Sequence, residues 1–243
     1  MKAPSIIIGV IAILFLVSAS AAAQTRKADP STFQLGNQVI TIPSPEGFEE
    51  AASQFEGIKN HFTRTEEPGN DMLAIHLPHA DCEKLRKGEF GPFNFYTKIS
   101  VRSAVRSVDY SAERFANLVS EFRKSSSKIL DVNSPAMKAT LEQLGKNLSE
   151  LSKQETQVDM SQPLNLGEFD TRPNVYSVML LVNFKTQNSD GEVSKLIAGG
   201  MSYVRVKQRL IYVYTYRKYE SKTDVEVLQN FTKQWIGQIL AAN

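Results

Sequence analysis

The chain has 243 residues, 42% of them hydrophobic and 22% charged, with a net charge of +2. This is the composition of a globular protein with a core of its own, and near-neutral charge without a basic block argues against nucleic acid as a partner. Cys82 is the single cysteine, which excludes an intramolecular disulfide framework.

Residues 6–17 form an apolar run of about a dozen, preceded by Lys2 and followed by Ala21-Ala22-Ala23. That is the layout of a secretory signal peptide cleaved before Gln24. The run falls short of the roughly 20 residues of a spanning helix. Residues 1–23 are therefore expected to be a signal peptide that exports the chain to the periplasm or the extracellular space. An uncleaved N-terminal anchor is the alternative, and the only membrane association expected.

Residues 24–35 are polar and read as a flexible start. Residues 38–42 read as a short strand closed by Pro43-Ser44-Pro45. Phe48, Ala51, Ala52, Phe55, Ile58 and Phe62 recur at helical spacing and predict a helix over 47–62. A turn at 66–70 leads to a strand over 71–77, ended by Pro78. One or two helical turns are expected at 79–86, a loop at 87–92 and an alternating strand at 93–101. Two helices follow. The first spans 111–130. The second starts at Ser134-Pro135, an N-cap followed by proline, and carries Met137, Leu141, Leu144, Leu148 and Leu151. That seam is little over two heptads, so a helical hairpin packed on a sheet fits better than a partner-binding coil. Residues 154–162 are polar, and 163–170 read as a strand or an extended link.

The C-terminal part is the clearest. Residues 175–185 alternate, with Tyr176, Val178, Leu180, Val182 and Phe184 on one face. Asp190-Gly191 favours a turn with positive φ. A second strand over 195–206 contains Gly199-Gly200, which suggests a bulge or a close backbone approach. A third covers 209–217, with Tyr212, Tyr214 and Tyr216 on one face. Links this short require an antiparallel meander. A final helix is expected from Thr223, with Glu226 completing a capping box. Val225, Leu228, Phe231, Trp235 and Ile239 form its apolar stripe. The fold class is α+β: a mostly antiparallel sheet with helices packed on it, in one domain over 24–243.

The stretches ITIPSPEGF (40–48) and RLIYVYTYRKYESKTDVEVLQNFTKQWIGQIL (209–240) resemble the Mog1/PsbP-like α/β/α sandwich family. The chain is also similar to secreted bacterial proteins of unassigned function. The first resemblance implies a sandwich in which the helical pair at about 111–153 is an insertion, and it implies a non-enzymatic assembly or binding factor. It assigns no functional residue.

Three constellations could carry chemistry. Tyr212, Tyr214 and Tyr216 could form a ligand platform, although strand tyrosines ordinarily bury the ring and leave the hydroxyl wet. His76, His79 and Asp81 offer imidazole and carboxylate as metal ligands, but the spacing straddles a strand end, as a chance pair of histidines also would. Cys82 reads as a small buried hydrophobe before it reads as a nucleophile. There is no G-x-S-x-G, P-loop or G-x-G-x-x-G, so no cofactor is expected. The expected function is an exported, non-enzymatic binding or assembly factor acting on an envelope protein. The alternatives are a small-molecule carrier and a metal-binding protein or hydrolase using His76, His79 and Asp81.

Overall fold

A computed structural model describes residues 31–243, so the signal-peptide expectation lies outside the described residues. An eight-stranded antiparallel sheet organises them. Its strands are β3 (Phe48–Glu50), β4 (Asn70–Pro78), β5 (Phe95–Arg102), β6 (Gln157–Met160), β7 (Leu164–Asp170), β8 (Val175–Asn188), β9 (Gly191–Val206) and β10 (Arg209–Lys218). The spatial order is β3-β4-β5-β10-β9-β8-β6, with β7 also pairing β8. A separate hairpin joins β1 (Ser31–Leu35) to β2 (Gln38–Ile42).

Helices cover both faces, as an α/β/α sandwich requires. On one face lie α1 (Glu56–Arg64), α2 (His79–Arg86), α3 (Ala112–Ile129) and α4 (Pro135–Ser152). On the other lie α5 (Lys222–Ala241) and the β1–β2 hairpin. No helix of the described residues is long and apolar enough to cross a membrane.

The C-terminal meander forms as its alternation dictates: β8 pairs β9 and β9 pairs β10. Gly200 is the expected close approach. A Cβ there would lie 2.5 Å from Thr215 Oγ1, which shares a 2.7 Å hydrogen bond with Thr232 Oγ1 of α5. The helical pair also forms as expected. Ser111 Oγ accepts from Arg114 N and Ser134 Oγ from Met137 N, and Met137, Leu141, Leu144 and Leu148 are buried in the core against the sheet.

Four expectations need correction. The polar start contains β1, because Gly36, at φ +61°, closes a tight turn and Arg209 Nε donates to Leu35 O at 2.8 Å. The single helix over 47–62 is instead β3 and then α1. The Glu50 carboxylate accepts from the Ala52, Ser53 and Ile75 amides and turns the chain between them. The polar stretch at 154–162 contains β6, paired with β8. The last helix is capped by Ser221 and Asp224, not Thr223 and Glu226: Ser221 N donates to Asp224 Oδ2 at 2.9 Å. Hydrogen bonds from Arg217 and from the backbone of Glu220 and Ser221 hold the Asp224 carboxyl down at about 2.

Candidate binding surfaces

Tyr212, Tyr214 and Tyr216 lie beneath the helices, buried in the core. Sheet register sets Tyr176 opposite Tyr203, Tyr203 opposite Tyr212, and Tyr96 opposite Tyr216. Phe122 of α3 meets the Tyr176 and Tyr203 rings edge-on at 5.5 and 5.4 Å. The rings serve packing: Tyr214 and Tyr216 are buried almost whole, and the hydroxyl of Tyr203, opposite Tyr212, is buried without a hydrogen-bond partner. Burial raises the pKa of Tyr203, Tyr214 and Tyr216 well above the ordinary phenol value.

The same face holds a polar cluster whose acidic members, Glu66 and Glu67, the sequence places in a turn. Lys98 Nζ donates to Glu66 Oε1 at 2.8 Å, Ser100 Oγ donates to Glu66 Oε2 at 2.7 Å, and Lys98 and Glu66 are each 4% exposed. Lys98 also sits 5.0 Å from the centre of the Tyr214 ring. Beside them, Glu67 is buried and accepts from Asn70 Nδ2 at 3.3 Å. Burial pushes its carboxyl up to about 8, with Lys98 acting in the opposite direction. The signal for this cluster was Lys98 itself, a charge on the same strand face as Tyr96 and Ser100.

The structure does not bring His76, His79 and Asp81 together. His76 is fully buried, packs edge-on against Trp235 at 5.1 Å and shares a 3.2 Å hydrogen bond with Thr97 Oγ1. Burial lowers its pKa to about 3. His79 begins α2, with Nδ1 2.9 Å from Glu49 Oε1, and Asp81 pairs with Lys84 at 3.3 Å. Burial works against the Glu49 carboxylate, but Arg86 and His79 hold its pKa below the ordinary value. Among the described residues, no three His, Cys, Asp or Glu side chains converge as a metal site. Cys82 is buried, and burial drives its thiol up to about 12.

Two surface features remain. The first is at the β7 edge. Leu164 stands opposite Leu181, which packs into the small cluster beneath α5, so both project from the α5 face. Leu196, opposite Asn183, extends the row onto β9. Leu164 is 57% and Leu196 38% exposed, and Leu166 is exposed beside them. Among the described residues β7 pairs with β8 alone, so its outer edge is free. The second feature is an open groove of about 740 Å³ between α4 and β6, lined by charged, polar and apolar side chains together.

No family model matches the chain, and no curated protein matches it. The structure is similar to the 1.9 Å crystal structure of the Saccharomyces cerevisiae Ran-binding protein Mog1p. The two share 12% identity over 89% of this chain and 93% of that one, with a TM-score of 0.30. It is similar also to a mutant of the protein Mog1, at 12% identity, 88% and 93% coverage and a TM-score of 0.31. The family resembled in sequence is thus met again among solved structures. At this identity and TM-score the likeness bears on neither partner nor activity.

Proposed function

We propose that the chain is an exported, non-enzymatic binding factor that docks a protein of the cell envelope on the β7 end of its sheet. The observation that carries this reading is the row Leu164, Leu181 and Leu196 at a free sheet edge. Exposed contiguous apolar surface with a polar rim is the mark of an interaction site, and an unpaired edge strand offers backbone groups to a partner. The groups best suited to catalysis are sequestered: His76 and Cys82 are buried, and His79 is tied to Glu49. The space under α3 and α4, where a carried molecule would lie, is occupied by Phe122, Tyr176 and Tyr203.

The test is site-specific photocrosslinking in the native host, with the photoreactive residue at 164 or 196 and a control at exposed Lys128 on α3. The expected result is one protein captured from 164 and 196 but not from 128, and lost on Leu196→Glu with the crosslinker at 164. Capture that is equal from 128, or unmoved by Leu196→Glu, refutes the docking surface. Fractionation with N-terminal sequencing tests export: a mature chain beginning at Gln24 outside the cytoplasm is expected, and a cytoplasmic chain retaining residues 1–23 overturns it.

A further inference from the structure

Among the described residues every arginine has a carboxylate within 4.0 Å except Arg102, Arg114 and Arg205. All three lie at one end of the tyrosine face. Arg102 continues the alternation of Lys98 and Ser100 along β5, and Arg205 that of Met201 and Tyr203 along β9, so both stand on that face. Leu210 of β10 lies between them, opposite Arg205 and two residues before Tyr212, which pairs with Ser100. The two arginines are therefore two strand spacings apart, about 10 Å. Tyr110 joins the third to them. Its carbonyl accepts from Arg205 Nε at 2.6 Å, and the Arg114 guanidinium stands 4.5 Å from the centre of its ring.

These charges are met by neutral groups. Arg205 Nη1 donates to Asn174 Oδ1 at 2.8 Å, and Arg114 Nη1 donates to Asp109 O at 3.2 Å. The Arg102 side chain makes no hydrogen bond among the described residues. Neighbouring carboxylates are engaged elsewhere, Asp109 with Arg209 and Asp71 with Arg106 at 3.1 Å. Glu67 feels Arg102 only at longer range, and burial keeps its proton affinity high. Ser111, the residue after Tyr110, caps α3, so the positive end of that helix adds to the field, with Glu113 of its first turn opposing. A half-buried charge without a counter-charge is costly to keep. Three at one end point to negative charge supplied from outside the chain.

We propose that this end of the sheet docks an acidic segment of a partner protein, whose carboxylates are received by Arg102, Arg114 and Arg205. The guanidinium fork suits this, because it can donate two parallel N–H bonds to one carboxylate. Arg114 is exposed, whereas Arg102 and Arg205 are half-buried. Side chains projecting from a peptide reach recessed groups, while a flat layer of lipid headgroups meets only the outermost. The surface is separate from the β7 row and does not depend on it.

Fluorescence anisotropy with a labelled hexaglutamate peptide, titrated with the full chain, tests this. Saturable binding is expected that weakens with added salt, falls roughly tenfold on combined Arg102→Gln and Arg114→Gln, and is absent for hexaglutamine. Combined Lys128→Gln and Lys138→Gln removes the same charge at exposed positions of α3 and α4, and should leave the affinity unchanged. An unchanged melting curve verifies the fold. Where the double variant melts lower, Arg102→Gln alone makes the same comparison, with a loss of about threefold expected. No saturable binding, equal binding of hexaglutamine, an equal loss in the lysine variant, or affinity unmoved by the arginine substitutions overturns the proposal. So does cosedimentation with phosphatidylglycerol vesicles that the arginine substitutions abolish, which assigns the patch to a membrane. Leu196→Glu should leave the peptide affinity unchanged. The two docking readings therefore fail separately.

Discussion

On the α5 side of the sheet, Ile99, Val101, Val204, Ile211 and Val213 meet Trp235, Ile236 and Ile239, and hydroxyl groups pair with one another across the same face. Ser177 donates to Ser202 at 2.7 Å, and Thr215 and Thr232 share a bond of the same length. On the other side, six sheet tyrosines (Tyr96, Tyr176, Tyr203, Tyr212, Tyr214 and Tyr216) share the interior with Glu66, Glu67 and Lys98. Both faces bury aromatic and aliphatic surface and some charge; the α5 side holds Arg209 paired with Asp109 and Asp170 paired with Arg172, while the tyrosine face holds Glu67, a carboxyl whose pKa burial raises far above its ordinary value. The aliphatic face answers to volume: a deleted side chain leaves a hole that the close-packed surroundings fill only in part. The tyrosine face answers to protonation as well, because a buried charge without its partner is costly in a medium that solvates it poorly.

The sharpest way to break this contrast is to strike each face in turn. Trp235 is 1% exposed, and its Nε1 donates to Pro43 O at 2.8 Å, tying the helix to the segment after β2. Trp235→Ala is expected to cost about 3–5 kcal/mol in urea unfolding, with a penalty that changes little with pH above 6.5, where the neighbouring His76 is neutral whether buried or exposed. On the tyrosine face the expected signature is the pH dependence itself. The pKa of Glu67 is raised from 4.5 to about 8 in the folded chain. Between those values the folded state holds a proton that the unfolded state has released, so stability falls as pH rises through that window. Each tenfold difference in proton affinity is worth about 1.4 kcal/mol, so the loss is on the order of a few kcal/mol. Glu67→Gln keeps the shape without the titration. It should remove Glu67's share of the slope between pH 4.5 and 8 and stabilise the chain most at the upper end. Buried His61 and His76 act in the opposite sense below pH 6.5, so a wild-type profile that is level between pH 6.5 and 8, or a variant with the same slope there, would erase the distinction between the faces.

The sequence reveals the two faces unequally. The meander, α5 and the helical pair each carry an apolar stripe of one period inside one window, and such stripes are legible locally. The division of residues 47–62 is not, because what turns the chain is the Glu50 carboxylate taking the amide of Ile75, 25 positions away. β6 escapes notice because an edge strand with Gln157 and Asp159 exposed shows little apolar alternation. The Glu66–Lys98 pair joins positions 32 apart, and the leucine row draws one residue from each of three strands. No window holds either. His76 and His79 looked close because they are close in sequence, yet β4 ends between them at Pro78. One histidine packs under α5, while the other opens a helix on the opposite face.

The smallest expected effect lies at the β9–β10 turn, which is tied to elements of both layers. Lys207 and Gln208 both adopt positive φ, +44° and +63°, a conformation that side chains disfavour. Their contacts hold them there: Lys207 Nζ donates to Val39 O at 3.0 Å, and Tyr110 N donates to Gln208 O at 2.8 Å. The Gln208 bond uses its backbone carbonyl, so glycine at 208 keeps it while removing the Cβ that resists the left-handed region. Relief of about 1–2 kcal/mol is offset by about 0.5–1 kcal/mol of extra chain entropy in glycine. Gln208→Gly should therefore stabilise the chain by about 0.5–1 kcal/mol, seen as a small rise in the urea midpoint at unchanged slope. Lys207→Gly gains the same relief but loses the bond to β2, and should come out near zero or negative. A larger gain from Lys207→Gly than from Gln208→Gly would mean that the tie to β2 contributes nothing to holding the hairpin on the aliphatic face.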